Sequence, residues 1–226
     1  MQRTMHMDWK KSIGEDSIKM TKRGLFITLE CGEGGGKTTH LQFIYEHLVS
    51  RGHDVVKTRE PGGTPTCEEI RNILLHKKEA KLSTEAELLL FESARSQLVY
   101  DVISPALKQG KIVLSDRFYD STTAYQGYGR GINLGFILRA NSFATTGINP
   151  DLTLFIDVDP EVGLKKMKEG DKIANETLDF HKRVRQGYLE IAKKEPQRVA
   201  VIPYINDGIN IMQQNIRQVL SERLGL

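Results

Sequence analysis

The first clear pattern in the chain is a β-prone run, Leu25-Phe26-Ile27-Thr28-Leu29-Glu30, followed by a glycine cluster and then by helical spacing from Thr38 to Ser50. This order predicts strand, loop and helix. Arg51-Gly52 is the basic-then-glycine stop that the helix macrodipole and a left-handed cap favour. Asp54 to Thr58 predicts a second strand. Beyond the turn-forming Pro61-Gly62-Gly63, Pro65 opens a helix over Thr66 to His76. A long helix is predicted from Ser83 to Gln109, with Thr84 and Glu87 as a capping box and Gly110 as its stop.

Lys111 to Ser115 reads as the third strand, with Asp116-Arg117 at its carboxyl edge, and a helical region follows over Tyr119 to Gly147. Asp151 to Asp157 predicts strand four, Pro160 opens a short helix, and Asn175 to Lys194 forms a longer one. Val199 to Ile202 is the fifth strand and Ile209 to Leu224 the last helix. Strands alternating with helices predict an α/β fold, a five-stranded parallel sheet with helices on both faces. Ligands of such sheets bind beyond the carboxyl ends of the strands, where the glycine cluster and Asp116-Arg117 fall.

Charge and composition narrow the partners. Residues 1 to 23 carry six Lys or Arg against three Asp or Glu, so the whole formal net charge of +3 sits in this segment and the rest of the chain is balanced. A polynucleotide binder places its surplus on the folded surface, so nucleic acid is not expected as a partner. The segment reads as a flexible extension ahead of one domain over residues 24 to 226, with Met20 as an alternative start. Its acidic residues argue against a transit peptide. No apolar run approaches the roughly 20 residues that cross a bilayer, and no membrane association is expected. Cys31 and Cys67 have no C-x-x-C spacing, so a reducing cytoplasm suits the chain better than a stapled or zinc-bound scaffold.

The segment Glu30 to Thr39, Glu-Cys-Gly-Glu-Gly-Gly-Gly-Lys-Thr-Thr, nearly matches G-x-x-x-x-G-K-[ST]. Glycines let consecutive N–H groups cradle an anion, the following helix adds its positive end, Lys37 reaches the β- and γ-phosphates, and the Thr38 hydroxyl ligates Mg²⁺. A P-loop nucleotide fold with ATP on Gly32, Glu33, Gly34, Gly35, Gly36, Lys37, Thr38 and Thr39 is the expectation. A glycine-rich turn that binds nothing is the bland alternative. Cys31 stands where the motif has glycine, which points either to weakened nucleotide binding or to a reactive thiol.

Further motifs follow in order: Thr58-Arg59-Glu60-Pro61-Gly62-Gly63-Thr64, then Phe91 to Arg95, then Asp116-Arg117-Phe118 with Ser121 and Ala124-Tyr125-Gln126-Gly127, and Asn149-Pro150-Asp151-Leu152-Thr153 before Asp157-Val158-Asp159-Pro160. Across residues 24 to 224 this set resembles the bacterial thymidylate kinases, with their T-R-E-P-G-G-T, F-x-x-x-R and D-R-[YF]-x-x-S-x-x-A-Y-Q-G segments. The resemblance implies transfer of the γ-phosphoryl group of ATP to dTMP, with Mg²⁺, and a homodimer. It implies that Phe91 stacks on thymine, that Arg95 bonds its carbonyl edge, and that Glu33 accepts from the 3′-hydroxyl. Tyr125 and Gln126 resemble the pair that blocks a 2′-hydroxyl and reads the base, with Ser121 nearby, and the Glu60–Pro61 bond is cis in this family.

The residue types leave other readings open. Phe91 is otherwise core, Arg95 a surface ion-pair partner, and Glu33 a solvated loop charge. Arg59 and Arg117 follow predicted strands and supply the planar, bidentate cations that an acceptor phosphate needs. Asp116 is either a Mg²⁺ contact through water or a helix N-cap. A basic, glycine-broken segment around Lys165 to Ile173, within a lid near residues 165 to 176, suits a phosphate lid, with Lys172 as its cation; an ordinary solvated helix end is the alternative. His181 reads as structural. Two other functions remain: a kinase of this fold with another acceptor, and a catalytically weak nucleotide-binding module, for which Cys31 and the short lid are the motive.

Overall fold

The computed structural model describes residues 23–77, 81–167 and 171–226. Of the N-terminal extension only Arg23 falls within it, paired with Asp151 Oδ1 at 2.9 Å; residues 1 to 22 lie outside the described residues. Five strands, β1 (Phe26–Cys31), β2 (Val55–Arg59), β3 (Ile112–Asp116), β4 (Leu152–Asp157) and β5 (Val199–Pro203), form one sheet in the order β2-β3-β1-β4-β5. Every pairing is parallel. The chain winds outward from β1 in both directions, so a crevice opens at the carboxyl end of β1 between β3 and β4.

Alternation along β1 divides the core. Ile27, Leu29 and Cys31 face one apolar layer, completed by Leu41, Ile44 and Leu48 of α1 (Lys37–Ser50) and by Met212, Ile216 and Leu220 of α9 (Ile209–Leu224). Thr28 and Glu30 face the other side, also with no exposure. There the Thr28 and Thr153 hydroxyls meet at 2.8 Å. A carboxylate inside a central strand is expensive to desolvate, so its presence marks a function.

Helices on the second face depart from the predicted boundaries for definable reasons. α2 (Pro65–Arg71) is capped by Thr64, whose hydroxyl accepts from Cys67 N, and it widens into a π-helical turn over Asn72–His76. The predicted long helix is α3 (Thr84–Leu98), a π-helical turn over Val99–Ile103, and α4 (Ser104–Lys108). Pro105 has no N–H and its ring would meet the Asp101 carbonyl in an unbroken helix, so the turn before it expands. The capping box does not form. Ser83 caps α3 by accepting from Ala86 N, and the Glu87 carboxylate turns to Arg130 and Gln126.

The helical region expected over Tyr119 to Gly147 holds two helical segments. α5 (Tyr119–Thr122) runs into a π-helical turn, Thr123–Gly129, Gly131 at φ 82° breaks the direction, and Asn133 caps α6 (Leu134–Ala144). α7 (Pro160–Lys166) is capped by Asp159 and α8 (Leu178–Lys194) by Thr177, two residues inside the predicted start. Among the described residues no helix is long and apolar enough to cross a membrane.

Candidate active site

One side of the site is built by the β1–α1 turn. Gly34 and Gly36 adopt φ of 69° and 76°, left-handed values that a side chain would strain. Gly36 precedes α1 and no side chain caps that helix, so its first N–H groups face the loop. Lys37 Nζ lies 3.6 Å from Asp116 Oδ1, across from the tip of β3. That oxygen is buried and accepts no hydrogen bond. Asp116 is therefore not a helix N-cap; its Oδ1 has no protein hydrogen-bond donor and lies beside Lys37.

Cys31 is closed off beneath the loop. Burial pushes its thiol up to about 12, against the pull of Lys37 and Arg117. A thiol kept protonated and out of water is no nucleophile, which corrects the reactive-thiol expectation.

Arg117 organises the other side. Its φ is 70°, rare for a residue with a side chain. Nη2 donates to Glu33 Oε1 at 3.1 Å, and Nη1 to Ser121 Oγ and to the Tyr188 hydroxyl, each at 3.2 Å. Glu33 Oε1 also accepts from the Tyr125 hydroxyl at 2.9 Å, so it is no solvated loop charge. Burial works to raise the Glu33 carboxyl, but Arg117, Lys37 and the Tyr125 bond outweigh it and hold the group below its usual range. Behind them, burial and Asp120 push Glu30 up to about 7, despite Arg117, Ser121 and Tyr188.

Arg59 ends β2 with a half-exposed side chain, its Nη2 on Glu68 at 2.8 Å. Beside it Arg71 donates to the Pro61 carbonyl at 2.7 Å. Burial lowers the Arg71 pKa and the Arg59 charge adds to that, the signature of cations crowded where an anion belongs. The Glu60–Pro61 bond between them is cis.

On α3, Phe91 is half-buried and Arg95 is 1% exposed. Four of the five Arg95 N–H groups donate hydrogen bonds, Nε to Glu60 at 2.9 Å, Nη1 to Glu92 and Asn141, and Nη2 to Thr122, while Nη2 also stands 2.8 Å from Glu60 as an ion pair. The surface ion-pair reading is thus corrected, since the pair is buried. Burial disfavours the charge, but Glu60 and Glu92 hold Arg95 protonated well beyond an ordinary arginine. Gln126, also buried, donates to Glu87 at 2.9 Å.

Lys37, Thr38, Asp116, Arg59 and Arg117 line one cleft of about 290 Å³ together with Glu33, Phe91, Arg95, Ser121, Tyr125 and Gln126. That volume is near the lower bound of small-molecule clefts. Thr39 is exposed on the first turn of α1. Lys172 does not line the cleft, although its neighbours Asp171 and Ile173 do. Asp171 Oδ1 accepts from Ile173 N and Ala174 N, tying down the turn that carries Lys172. The Lys168-Glu169-Gly170 part of the expected lid lies outside the described residues. His181 is buried, its Nε2 3.3 Å from the Ala174 carbonyl, in keeping with a structural part.

Comparison with known proteins places the chain in a family. The family model described as thymidylate kinase matches residues 29–216. The chain belongs to the thymidylate kinase family. It is 49% identical over 203 residues to a thymidylate kinase of Kosmotoga olearia, covering 88% of this chain and 95% of that protein. It is 51% identical over 178 residues to one from a Synechococcus species, covering 79% and 86% respectively. A crystal structure of thymidylate kinase from Ehrlichia chaffeensis superposes with a TM-score of 0.74 at 39% identity, covering 88% of this chain and 99% of that one. The reaction is that of the family: ATP phosphorylates dTMP. Thymidylate kinases in general work on magnesium-ATP, and both nucleotides are its substrates.

Within this thymidylate kinase fold, four contributors escaped the sequence reading. Arg71 left a usable signal, since Cys67, Arg71 and Leu74 recur at one helical face. Glu60 and Glu30 stood inside recognised segments, but only packing shows that they grip Arg95 and the partners of Arg117. Tyr188 had no local signal.

Proposed function

We propose that ATP lies on the loop from Gly32 to Thr39 and that dTMP fills the cleft, its phosphate between Arg59, Arg71 and Arg117 and its thymine on Phe91. One observation carries this: the phosphate lysine and the arginines of two strand ends open into the same cleft as Phe91. Glu33, with one oxygen taken by Arg117 and Tyr125, keeps the other for the deoxyribose 3′-hydroxyl. Tyr125 stands at the 2′ side, while Gln126 and Arg95 floor the base end.

Asp116 Oδ1, buried without a donor, and the Thr38 hydroxyl are the hard oxygen ligands that magnesium takes along with phosphates. Bound there, the ion supplies neutralising charge at the phosphate oxygens. The chain's own work is placement. A phosphate monoester, with its second pKa near about 6, is already largely a dianion at neutral pH, so no general base is needed. Arg117 and Arg59 orient the attacking oxygen, Lys37 holds the γ-phosphate, and Lys172 closes over the transfer and excludes water.

We also propose a cytoplasmic homodimer. Tyr100, Phe136 and Phe143 stand exposed on or beside α3 and α6, the apolar surface that a second copy would cover. Both cysteines are free and buried, which suits a reducing compartment.

Steady-state kinetics test the assignment. Arg117→Ala is expected to raise KM for dTMP by about a hundredfold, the worth of a bidentate charged contact, with KM for ATP within about twofold. Asp116→Asn is expected to raise the magnesium needed for half-maximal rate. Equal loss for both nucleotides in Arg117→Ala, or an unchanged magnesium requirement in Asp116→Asn, would sink the respective assignment.

A further inference from the structure

β1 carries a fully buried carboxylate, Glu30, that the transfer described above does not use. Its Oε1 accepts from Phe118 N at 2.7 Å. Its Oε2 accepts from Ser121 Oγ at 2.6 Å and from the Tyr188 hydroxyl at 2.8 Å. Those same two hydroxyl oxygens are the acceptors of Arg117 Nη1. We infer that Glu30 is a positioning residue for the acceptor phosphate: it holds Arg117 through the backbone at Phe118 and through the guanidinium at Ser121 and Tyr188.

The polarity of the relay explains why a carboxylate stands here. A hydroxyl has one proton to give and lone pairs to receive with. An ionised Glu30 accepts only, so it draws both protons to itself and leaves both oxygens with lone pairs turned to Arg117. A carboxamide of the same shape would donate from one side, free a hydroxyl proton and aim it at a cation. The backbone needs the same hold. Arg117 has a left-handed φ, and such a conformation persists only where its surroundings over-determine it. Leu29 O accepts from Arg117 N at 3.1 Å, Ser115 Oγ donates to the Arg117 carbonyl at 2.7 Å, and Glu30 takes the next N–H. Glu33 fixes Nη2 at the other end of the fork.

This inference rests on Arg117 holding the dTMP phosphate, so the experiment separates the two. Initial rates at about pH 8 are compared for the wild type, Glu30→Gln, Tyr188→Phe, Arg117→Ala and the double variant Glu30→Gln/Arg117→Ala, varying dTMP and ATP in turn. Glu30→Gln is expected to raise KM for dTMP about tenfold, as loss of one charge-assisted bond does, and to leave KM for ATP within about twofold. Tyr188→Phe should move KM for dTMP in the same direction by about threefold, since one arm of the relay remains. In the Arg117→Ala background, Glu30→Gln should add less than about twofold, because the residue it acts through is gone. An unchanged KM for dTMP in Glu30→Gln, beside a raised one in Arg117→Ala, overturns the inference alone. An unchanged KM in Arg117→Ala overturns the assignment of Arg117 and the inference with it. Losses that multiply in the double variant, or that fall equally on ATP, make Glu30 a structural residue and overturn it too. Should Glu30→Gln fail to fold, Tyr188→Phe decides, and a KM for dTMP equal to the wild type's overturns the inference.

Discussion

A β-carbon on Gly35 would stand 2.1 Å from Sγ of Cys31. The thiol thus occupies the space that any larger residue at position 35 would need. Gly35 has no positive φ, so this restriction is one of space and not of backbone conformation. The cysteine that interrupts the phosphate-loop motif is accommodated by the glycine four residues on, and the loop keeps its place between β1 and α1.

This pairing predicts strong coupling. Gly35→Ala alone should cost about 1–3 kcal/mol of loop stability through overpacking and raise KM for ATP. Cys31→Gly/Gly35→Ala should regain most of that loss, since the new methyl moves into the vacated space. ATP titrations on the two variants check it, and equal losses in both would refute the pairing. In the native protein Cys31 should resist iodoacetamide and react only after denaturation.

A second close approach joins the loop to the helix that leads into the lid. A β-carbon on Gly163 of α7 would lie 2.1 Å from the Glu33 carbonyl oxygen, and one on Gly34 would lie 2.0 Å from the Gly163 carbonyl oxygen. Backbone meets backbone here, so neither side can yield as a flexible side chain would. Gly163→Ala is expected to push α7 off the phosphate loop and raise KM for ATP by about tenfold, with dTMP binding by calorimetry within about twofold. Wild-type ATP kinetics in this variant would show that the contact carries no weight.

The two residues of the base end should respond differently. Removing the Arg95 side chain leaves Glu60 and Glu92 buried without their cation, a loss of about 3–5 kcal/mol. Arg95→Ala is therefore expected to lower the denaturation midpoint sharply. Phe91→Ala, on a half-buried side chain lining the cleft, should keep more of the fold and chiefly raise KM for dTMP. Urea melts of both variants, with dTMP kinetics, separate the two roles; equal midpoints would contradict the buried-pair argument.

Glu30 also sets a pH dependence of stability. Its carboxyl is pushed from 4.5 up to about 7 on folding, chiefly by burial and then by Asp120. Between those values the folded chain binds the proton and the unfolded chain has lost it, so stability falls as pH rises through the window. The full shift corresponds to about 3 kcal/mol. Glu30→Gln should lack this decline, becoming the more stable form by about pH 8 even as its dTMP kinetics worsen. Chemical denaturation of both proteins between about pH 5 and pH 8 checks the sign, and parallel curves would rule it out.

Legibility in the sequence followed the range of the forces involved. The β1 run, the glycine cluster and Lys37 are neighbours along the chain, so their strand, loop and helix were readable from spacing alone. The alternation of strands and helices likewise predicted the five-stranded parallel sheet. Helix boundaries failed where one residue countered the periodicity, as where Pro105 widened a turn within an apolar stripe; inside the helical region over Tyr119 to Gly147, Gly131 with Asn133 set a break that hydrophobicity alone did not locate.

What the amino-acid sequence determined by itself was the phosphate loop, the order of elements and the set of residue types brought to the strand tips. Only the tertiary structure decided which of those groups stay open to a ligand. Arg95 and Arg117 look alike in sequence, but one is buried among Glu60, Glu92, Asn141 and Thr122, while the other is held at the cleft by Glu33, Ser121 and Tyr188. Glu30 and Tyr188 are 158 positions apart and meet at 2.8 Å. Burial, and with it the cost of a charge, depends on what the rest of the chain packs around a residue, and local spacing carries no record of that.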